Sequence, residues 1–193
     1  MSSHHAPVCH MDDFLTFLHQ IATRLDSAQI PYMITGSMAF ASYATPRMTR
    51  DIDIVIALSP TDTERLVSLF QHDCYLDQES ITQAIRRHGM FNIIHNETII
   101  KADFIVRKDD AYRRIEFSRR RAIDIGGVMI YLVAPEDLIL SKLVWAQDSA
   151  SELQLRDIKQ MLCSATGLEM DYLREWAQYL KVDKRLAEVM RDA

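Results

Sequence analysis

The sequence has no apolar run near the roughly 18 residues that a membrane-spanning helix needs. It also opens without a basic segment followed by an apolar one, so we expect a cytoplasmic protein with no membrane partner. Cysteine is scarce: Cys9, Cys74 and Cys163 are widely spaced and odd in number, which predicts reduced thiols rather than a disulfide framework. Basic residues are not in excess either. The net charge is −5, which argues against a protein that binds nucleic acid through bulk positive charge.

The length and composition that remain are those of a folded domain. The chain has 193 residues, of which 48% are apolar and 25% are charged. These values predict one globular domain with a helical appendage. We predict a flexible tail at 1–10, a mixed α/β domain at 11–134 and a helical region at 135–193 packed on that domain. The tail contains a cluster without the regular spacing of a metal site: His4, His5, Cys9 and His10.

Periodic patterns of apolar residues predict a sheet flanked by helices, which is an α+β (mixed α/β) fold. The helices are predicted at 11–28, 37–45, 61–71, 78–87, 109–118, 135–147, 151–164, 169–180 and 183–191. The strands are predicted at 31–35, 51–57, 91–94 and 98–106, with a hairpin over 123–131 that turns at Gly126-Gly127. Three aromatic residues are predicted to lie in the helical core: Trp145, Trp176 and Tyr179.

Two aspartates, Asp51 and Asp53, stand on the second predicted strand. Residues i and i+2 of a strand point to the same face, so both carboxylates project together while Ile52 and Ile54 enter the core. Adjacent carboxylates repel each other unless a cation lies between them. A hard divalent cation such as Mg²⁺ prefers oxygen ligands. We therefore favour metal ligation over a solvent-exposed pair of acids on an edge strand.

A Gly-Ser turn precedes these acids and opens the helix predicted at 37–45. Gly36 allows another group to approach the backbone closely. Ser37 offers a hydroxyl at a helix start, where free N–H groups suit a phosphate. Ser37 could equally be only the N-cap of that helix. Arg47 and Arg50 flank the acids, and they either steer a triphosphate or balance the local negative charge.

The order of these motifs resembles a known signature. Gly36-Ser37, a spacer and Asp51-Ile52-Asp53 are similar to the Gly-Ser and Asp-x-Asp motif of the nucleotidyltransferase superfamily. Three later segments resemble the branch of AbiEii/AbiGii toxin-like proteins: Lys101-Ala-Asp103, Pro135-Glu136-Asp137 with Lys142-Leu143, and Leu155-Arg156-Asp157-Ile158. The resemblance covers residues 28–180 and implies a small mixed sheet of nucleotidyltransferase type followed by a C-terminal helical bundle.

The resemblance also implies roles for individual residues. It gives Asp103 as a third acid that binds metal with Asp51 and Asp53 and activates the attacking hydroxyl. From the residues alone, Asp103 shares a strand face with Lys101 and could instead form a cross-strand salt bridge, which contributes little. Lys142 and Asp157 would bind the nucleotide. The implied reaction uses Mg²⁺ or Mn²⁺ to move a nucleoside monophosphate from an NTP to a hydroxyl, with release of pyrophosphate. A toxin role with a cognate antitoxin is implied as well.

Two questions stay open on the sequence. The acceptor is an RNA, a protein or a small molecule, and the arginines at 113–114 and 119–121 form either a solvated helix face or a patch for a polyanion such as RNA. The chain is either an active enzyme or a nucleotide-binding module that turns over poorly. The complete set of three acids favours the enzyme.

Overall fold

The structure is a computed structural model that describes residues 11–46, 51–149 and 151–191. Its helices are α1 (Met11–Ser27), α2 (Gly36–Tyr43), α3 (Thr63–Phe70), α4 (Gln78–Arg87), α5 (Ala111–Ser118), α6 (Pro135–Ser149), α7 (Glu152–Ser164), α8 (Met170–Tyr179) and α9 (Asp183–Arg191). A short 3₁₀-helix, Pro60–Asp62, leads into α3. No helix in these ranges is long and apolar enough to cross a bilayer.

The strands are β1 (Tyr32–Ile34), β2 (Asp51–Ile56), β3 (Cys74–Tyr75), β4 (Met90–His95), β5 (Lys101–Val106), β6 (Arg121–Ile125) and β7 (Val128–Leu132). They follow the order β3-β4-β5-β2-β1-β7-β6 in a mixed sheet. β2 and β5 run parallel, whereas β4 is antiparallel to both β5 and β3. The predicted mixed α/β class is therefore confirmed.

The described residues form two compact units that interleave along the chain. The first contains residues 11–33, 51–108 and 123–130, and the second contains residues 34–46, 109–122 and 131–191. Residues after 134 thus share a unit with two earlier segments. A functional division of the chain at residue 134 stays a prediction.

The first unit is built on strands whose residues alternate between buried and open positions. In β2 the isoleucines Ile52, Ile54 and Ile56 are fully buried, and in β5 the same holds for Ala102, Phe104 and Val106. The period of two arises because successive side chains of a strand point to opposite faces. Helix α1 adds a buried stripe at helical spacing: Phe14, Leu18, Ile21 and Leu25.

The turn between β4 and β5 is longer than predicted, spanning residues 96–100 instead of 95–97. β5 begins at Lys101 rather than at residue 98, because Ile99 adopts a φ of +56° and the chain turns before it. A residue with a side chain in this left-handed region cannot continue an extended strand. The strand β3, in which Cys74 pairs with His95, was not predicted. Two residues are too few to form a periodic pattern in the sequence.

The second unit corrects the prediction for two of the three aromatic residues. Trp145 and Tyr179 are 60% and 57% exposed, so their assignment to the core is wrong. Helix α6 buries residues on most of its circumference, so its apolar pattern does not show which of its side chains face solvent. Trp176 packs against Tyr112, with ring centroids 5.2 Å apart, and against Tyr172 at 6.1 Å.

Candidate active site

The three predicted acids lie on one face of two neighbouring strands in the first unit. β2 and β5 are parallel, with Asp51 paired to Lys101 and Asp53 paired to Asp103. Paired residues on adjacent strands lie about 4.8 Å apart. The opposite face of both strands is buried, so these four side chains stand on the face that is not core.

Lys101 provides the positive charge within this group. Its Nζ donates to Asp103 Oδ2 at 2.7 Å along the same strand and lies 3.7 Å from Asp51 Oδ1 on the neighbouring strand. The hydrogen bond to Asp103 is the main cause of a raised pKa of the Lys101 ammonium, and the charges of Asp51 and Asp53 add to it. The sequence left open a cross-strand salt bridge of Asp103, whereas the structure pairs Asp103 with Lys101 along the same strand, and the cross-strand contact of Lys101 is to Asp51.

The donor set has the chemistry of a site for a hard cation. Its carboxylate oxygens are the ligands that Mg²⁺ prefers, and Asn92 of β4 is paired in register with Asp103 on the other side of β5. Of the two acids that contact Lys101, Asp103 is the more enclosed, with 14% of its side chain exposed against 52% for Asp51. Within residues 11–46, 51–149 and 151–191, no three His, Cys, Asp or Glu side chains already converge on a metal position. The metal ligands stay predictions.

The Gly-Ser turn belongs to the second unit, where it begins α2. Gly36 has a φ of +61°, a left-handed conformation that favours glycine because it has no Cβ. The N-cap of α2 is Thr35, so Ser37 lies in the first helical turn and is not the N-cap. The first N–H groups of a helix lack intrahelical partners, so this turn has the donors that a phosphate requires. Phosphate binding by Gly36 and Ser37 stays a prediction.

Lys142 and Asp157 form a buried ion pair between α6 and α7, also in the second unit. Lys142 Nζ lies 2.7 Å from Asp157 Oδ2 and 3.0 Å from Gln154 Oε1, and the exposed fractions of the two charged side chains are 6% and 3%. The ammonium also lies 5.4 Å from the ring centroid of Phe40 on α2. This pairing gives both residues a structural role, and their role in nucleotide binding stays a prediction.

Two other predicted site residues, Arg47 and Arg50, lie outside the described residues. The His/Cys cluster of the predicted tail at 1–10 does so as well.

Comparison with known proteins identifies the family. The model of the aminoglycoside-2''-adenylyltransferase family matches residues 17–121, which is more than half of the 193-residue chain. The chain belongs to this family. The predicted superfamily and the predicted enzyme class, nucleotidyltransferase, are thereby confirmed. The matched segment contains the Gly-Ser turn and the three acids but ends before Lys142. The narrower AbiEii/AbiGii resemblance stays a prediction.

Solved structures agree with the family assignment at the level of the fold. An antigenic nucleotidyltransferase-like protein from Paracoccidioides brasiliensis is 19% identical, with a TM-score of 0.60 over 96% of this chain and 95% of that one. The antibiotic-resistance factor ANT(2'')-Ia is 15% identical, with a TM-score of 0.59 over 95% and 98%. The lincosamide adenylyltransferase LnuA is 12% identical, with a TM-score of 0.52 over 80% and 98%. None of the curated proteins is similar in sequence.

Sequence reasoning missed a charged cluster of this family member, which lies in the second unit. Arg119 Nε lies 3.1 Å from Asp137 Oδ2, and its Nη2 lies 3.1 Å from both Glu136 Oε2 and Glu169 Oε1. Glu136 and Asp137 are fully buried, and the Tyr172 hydroxyl donates to Asp137 Oδ1 at 2.7 Å. In the sequence these two acids stand out only as part of a segment that resembles the AbiEii/AbiGii branch, because their partners are distant along the chain.

The other arginines at 113–114 and 119–121 also contact groups of the protein itself. Besides Arg119, Arg113 contacts the buried Glu116 at 2.8 Å, and Arg121 lies 3.6 Å from Glu136. Arg120 donates to the carbonyl oxygen of Phe117. Arg114, 57% exposed, lies 3.7 Å from Asp109. Most of the run is therefore engaged with the protein's own groups, which argues against a patch for a polyanion.

Proposed function

We propose that this chain transfers the adenylyl group of ATP to a hydroxyl of a small cationic acceptor, with release of pyrophosphate and with Mg²⁺ or Mn²⁺ as cofactor. The observation that carries the proposal is the register that sets Asp51, Asp53 and Asp103 on one face of two parallel strands, in a member of an adenylyltransferase family.

The acids have distinct roles in the proposal. Asp51 and Asp53 bind the divalent ion, and Asp103 orients the acceptor hydroxyl and takes its proton. When bound, a divalent ion in such a site neutralises phosphate charge and lowers the pKa of the attacking hydroxyl. Gly36 and Ser37 supply N–H and hydroxyl donors for phosphate oxygens.

The remaining predicted site residues have supporting roles. Arg47 and Arg50 attract the triphosphate, and Lys142 with Asp157 holds α6 and α7 in the arrangement that nucleotide binding needs.

The reaction is a single displacement at phosphorus. The acceptor oxygen bonds to the α-phosphorus as the bond from that phosphorus to the α,β-bridging oxygen breaks. The bridging oxygen leaves with the β- and γ-phosphates as pyrophosphate, and the hydroxyl proton passes to the Asp103 carboxylate. Such catalysis depends on positioning and on electrostatic stabilisation of the developing charge.

The charge of the protein supports a cationic acceptor. The net charge is −5, and most arginines of the 113–121 run engage the protein's own acids, carbonyl groups or rings. Long-range fields of this sign attract cations and repel polyanions. A crystal structure of the structural relative ANT(2'')-Ia contains adenylyl-2''-tobramycin. We therefore favour an aminoglycoside-like acceptor over RNA or protein. An RNA or protein acceptor would instead fit the toxin role with its antitoxin.

The decisive experiment incubates the protein with each α-³²P-labelled NTP and Mg²⁺ or Mn²⁺. Separate reactions contain tobramycin, lincomycin, total RNA or no added acceptor. The test variant is Asp51→Asn/Asp53→Asn. The matched control is Asp171→Asn, which removes a carboxylate that is fully exposed on α8.

We expect ATP label on tobramycin, retained in Asp171→Asn and lost in the double variant. Label on RNA or on the protein itself would refute the small cationic acceptor and support the toxin-like alternative. Metal-dependent ATP binding without transfer to any acceptor would favour the nucleotide-binding module. Transfer that survives in the double variant would refute the role of the acids.

A further inference from the structure

The acid cluster of the first unit contains its own cation. Asp51, Asp53, Lys101 and Asp103 occupy the corners of a two-by-two grid on adjacent parallel strands, with Lys101 beside Asp51 and Asp53 beside Asp103. The Lys101 ammonium contacts acids on both strands, at 2.7 Å and 3.7 Å. The positive charge thus lies among the carboxylates that the proposed function assigns to metal binding.

We propose that Lys101 takes the place of one of the two divalent ions, so that the chain binds a single catalytic metal ion together with the nucleotide. The proposal rests on the proposed function. It makes Lys101 a positioning residue that holds Asp103, while the metal ion is bound through Asp51 and Asp53.

The strand geometry explains why this lysine is held in place. Lys101 and Asp103 are two residues apart on β5 and therefore point to the same side. The parallel register brings Asp51 to the other flank of Lys101. The hydrogen bond along its own strand and the second charge across the sheet place the ammonium among the acids, while 38% of the Lys101 side chain is exposed.

Electrostatics then disfavour a second metal ion at the same carboxylates. In two-metal sites the ions lie about 3.5–4 Å apart and share the acids between them. Lys101 Nζ already lies 2.7 Å from Asp103 Oδ2, and Mg²⁺ would bind the same carboxylate oxygen at about 2.0–2.1 Å. A metal ion on that oxygen would therefore lie beside a like charge, and such repulsion is strong where solvent is partly excluded.

The charge balance of the cluster leads to the same count. Three carboxylates and one ammonium carry a net charge of −2, by −3 + 1. One divalent cation neutralises this charge of the protein's own groups, to which the bound nucleotide adds the charge of its phosphates. Without the lysine the acids carry −3, and a second divalent ion becomes favourable.

The experiment counts bound Mn²⁺ by electron paramagnetic resonance, which reports on the ions rather than on turnover. The full chain is mixed with Mn²⁺ and α,β-methylene-ATP, which cannot be cleaved at the reacting bond. Two Mn²⁺ ions about 3.5–4 Å apart give an exchange-coupled spectrum, whereas an isolated ion gives the ordinary six-line signal. Lys101→Met removes the ammonium, Lys101→Gln is a second neutral variant, and Lys101→Arg keeps a positive charge. Lys108→Met is the matched control, because Lys108 is exposed two residues beyond β5.

We expect the wild type, Lys101→Arg and Lys108→Met to bind one isolated Mn²⁺ per chain, and the neutral variants to bind a coupled pair. A coupled pair in the wild type would overturn the proposal while leaving the proposed function intact. A single uncoupled ion in a folded Lys101→Met or Lys101→Gln protein would overturn it as well. If the wild type binds neither Mn²⁺ nor the nucleotide, both the proposal and the proposed function fall.

Discussion

Replacing Arg119 with methionine would test whether the buried acids of the second unit depend on one guanidinium. The substitution keeps an apolar stem and removes the charge. It leaves Glu136 and Asp137, both fully buried, without the cation that contacts each of them at 3.1 Å. It also removes the guanidinium that lies 3.8 Å from the ring centroid of Tyr172.

The expected loss follows from what each acid retains. Removing one partner of a buried ion pair costs about 3–5 kcal/mol. Asp137 keeps the hydroxyl of Tyr172, and Glu136 keeps the backbone N–H of Glu169 at 3.0 Å and Arg121 at 3.6 Å. These contacts favour the lower end, so we expect a loss of about 3 kcal/mol. The third ion pair adds little, because the Glu169 side chain is 57% exposed.

Thermal and urea unfolding followed by circular dichroism would measure this loss. A domain of this size loses about 2–4 °C in Tm per kcal/mol, so Arg119→Met should melt about 6–12 °C lower. Arg114→Met is the matched control, since Arg114 is 57% exposed and lies 3.7 Å from Asp109. We expect its stability to stay within about 0.5 kcal/mol of the wild type.

The pH dependence adds a second criterion. Burial raises the pKa of Asp137 above its ordinary value, and Arg119 opposes that rise. An acid with a raised pKa in the folded state destabilises the fold above that pKa, and the destabilisation disappears as the acid takes up its proton at lower pH. The penalty of Arg119→Met should therefore shrink as the pH falls. A penalty no larger than that of Arg114→Met, or one that grows in acid, would refute the argument.

Three further predictions concern other ionisable groups. A hydrogen bond from Arg24 lowers the pKa of Asp73 from 3.8, so Asp73→Asn should cost up to about 1 kcal/mol in urea unfolding at neutral pH. That difference should vanish as the pH falls through the lowered pKa, and a difference that persists would contradict the assignment. Lys142→Met should cost about 3–5 kcal/mol by leaving the Asp157 carboxylate buried without the Lys142 ammonium, whereas Lys142→Met/Asp157→Leu should recover part of the loss; equal losses in the two variants would argue against a coupled pair. Burial raises the pKa of Cys74 to about 12, so mass spectrometry should show iodoacetamide labelling in urea and roughly a thousandfold less at pH 8 in the native protein. Labelling of the native protein at a level comparable to that in urea would show that the thiol is accessible to solvent.

The parts of the fold with strong local patterns could be predicted from the sequence. β2 was expected at 51–57 and is observed at Asp51–Ile56, because alternation of acids with buried isoleucines is typical of a strand with one buried face. The sequence predicts α4 at 78–87 and the structure has these bounds, because the helix begins after the side-chain cap of Asp77 and its C-cap is His88, which has a φ of +48°. Caps and periodicity act over a few residues and therefore leave a signal in the sequence.

Features that depend on distant partners could not be predicted in the same way. The sequence showed that Lys101 and Asp103 share a strand face, but only the parallel register shows that Asp51 lies beside Lys101. The arginines at 119–121 form a local run of charge, and nothing nearby indicates that Arg119 contacts acids at positions 136, 137 and 169. Such pairings arise from tertiary packing, which local charge patterns do not encode.

The strict alternation of β2 and β5 has a consequence for how this chain can change in length. Deleting a single residue within Asp51–Ile56 would move every later side chain of the strand to the opposite face. A deletion of Ile52, for example, would turn the Asp53 carboxylate into the core and make the later isoleucines face the acids of β5. The loop at 57–59 has no such constraint from strand register, so insertions there should be tolerated far better. Length variation among relatives is therefore expected to occur beside these strands and to be selected against within them.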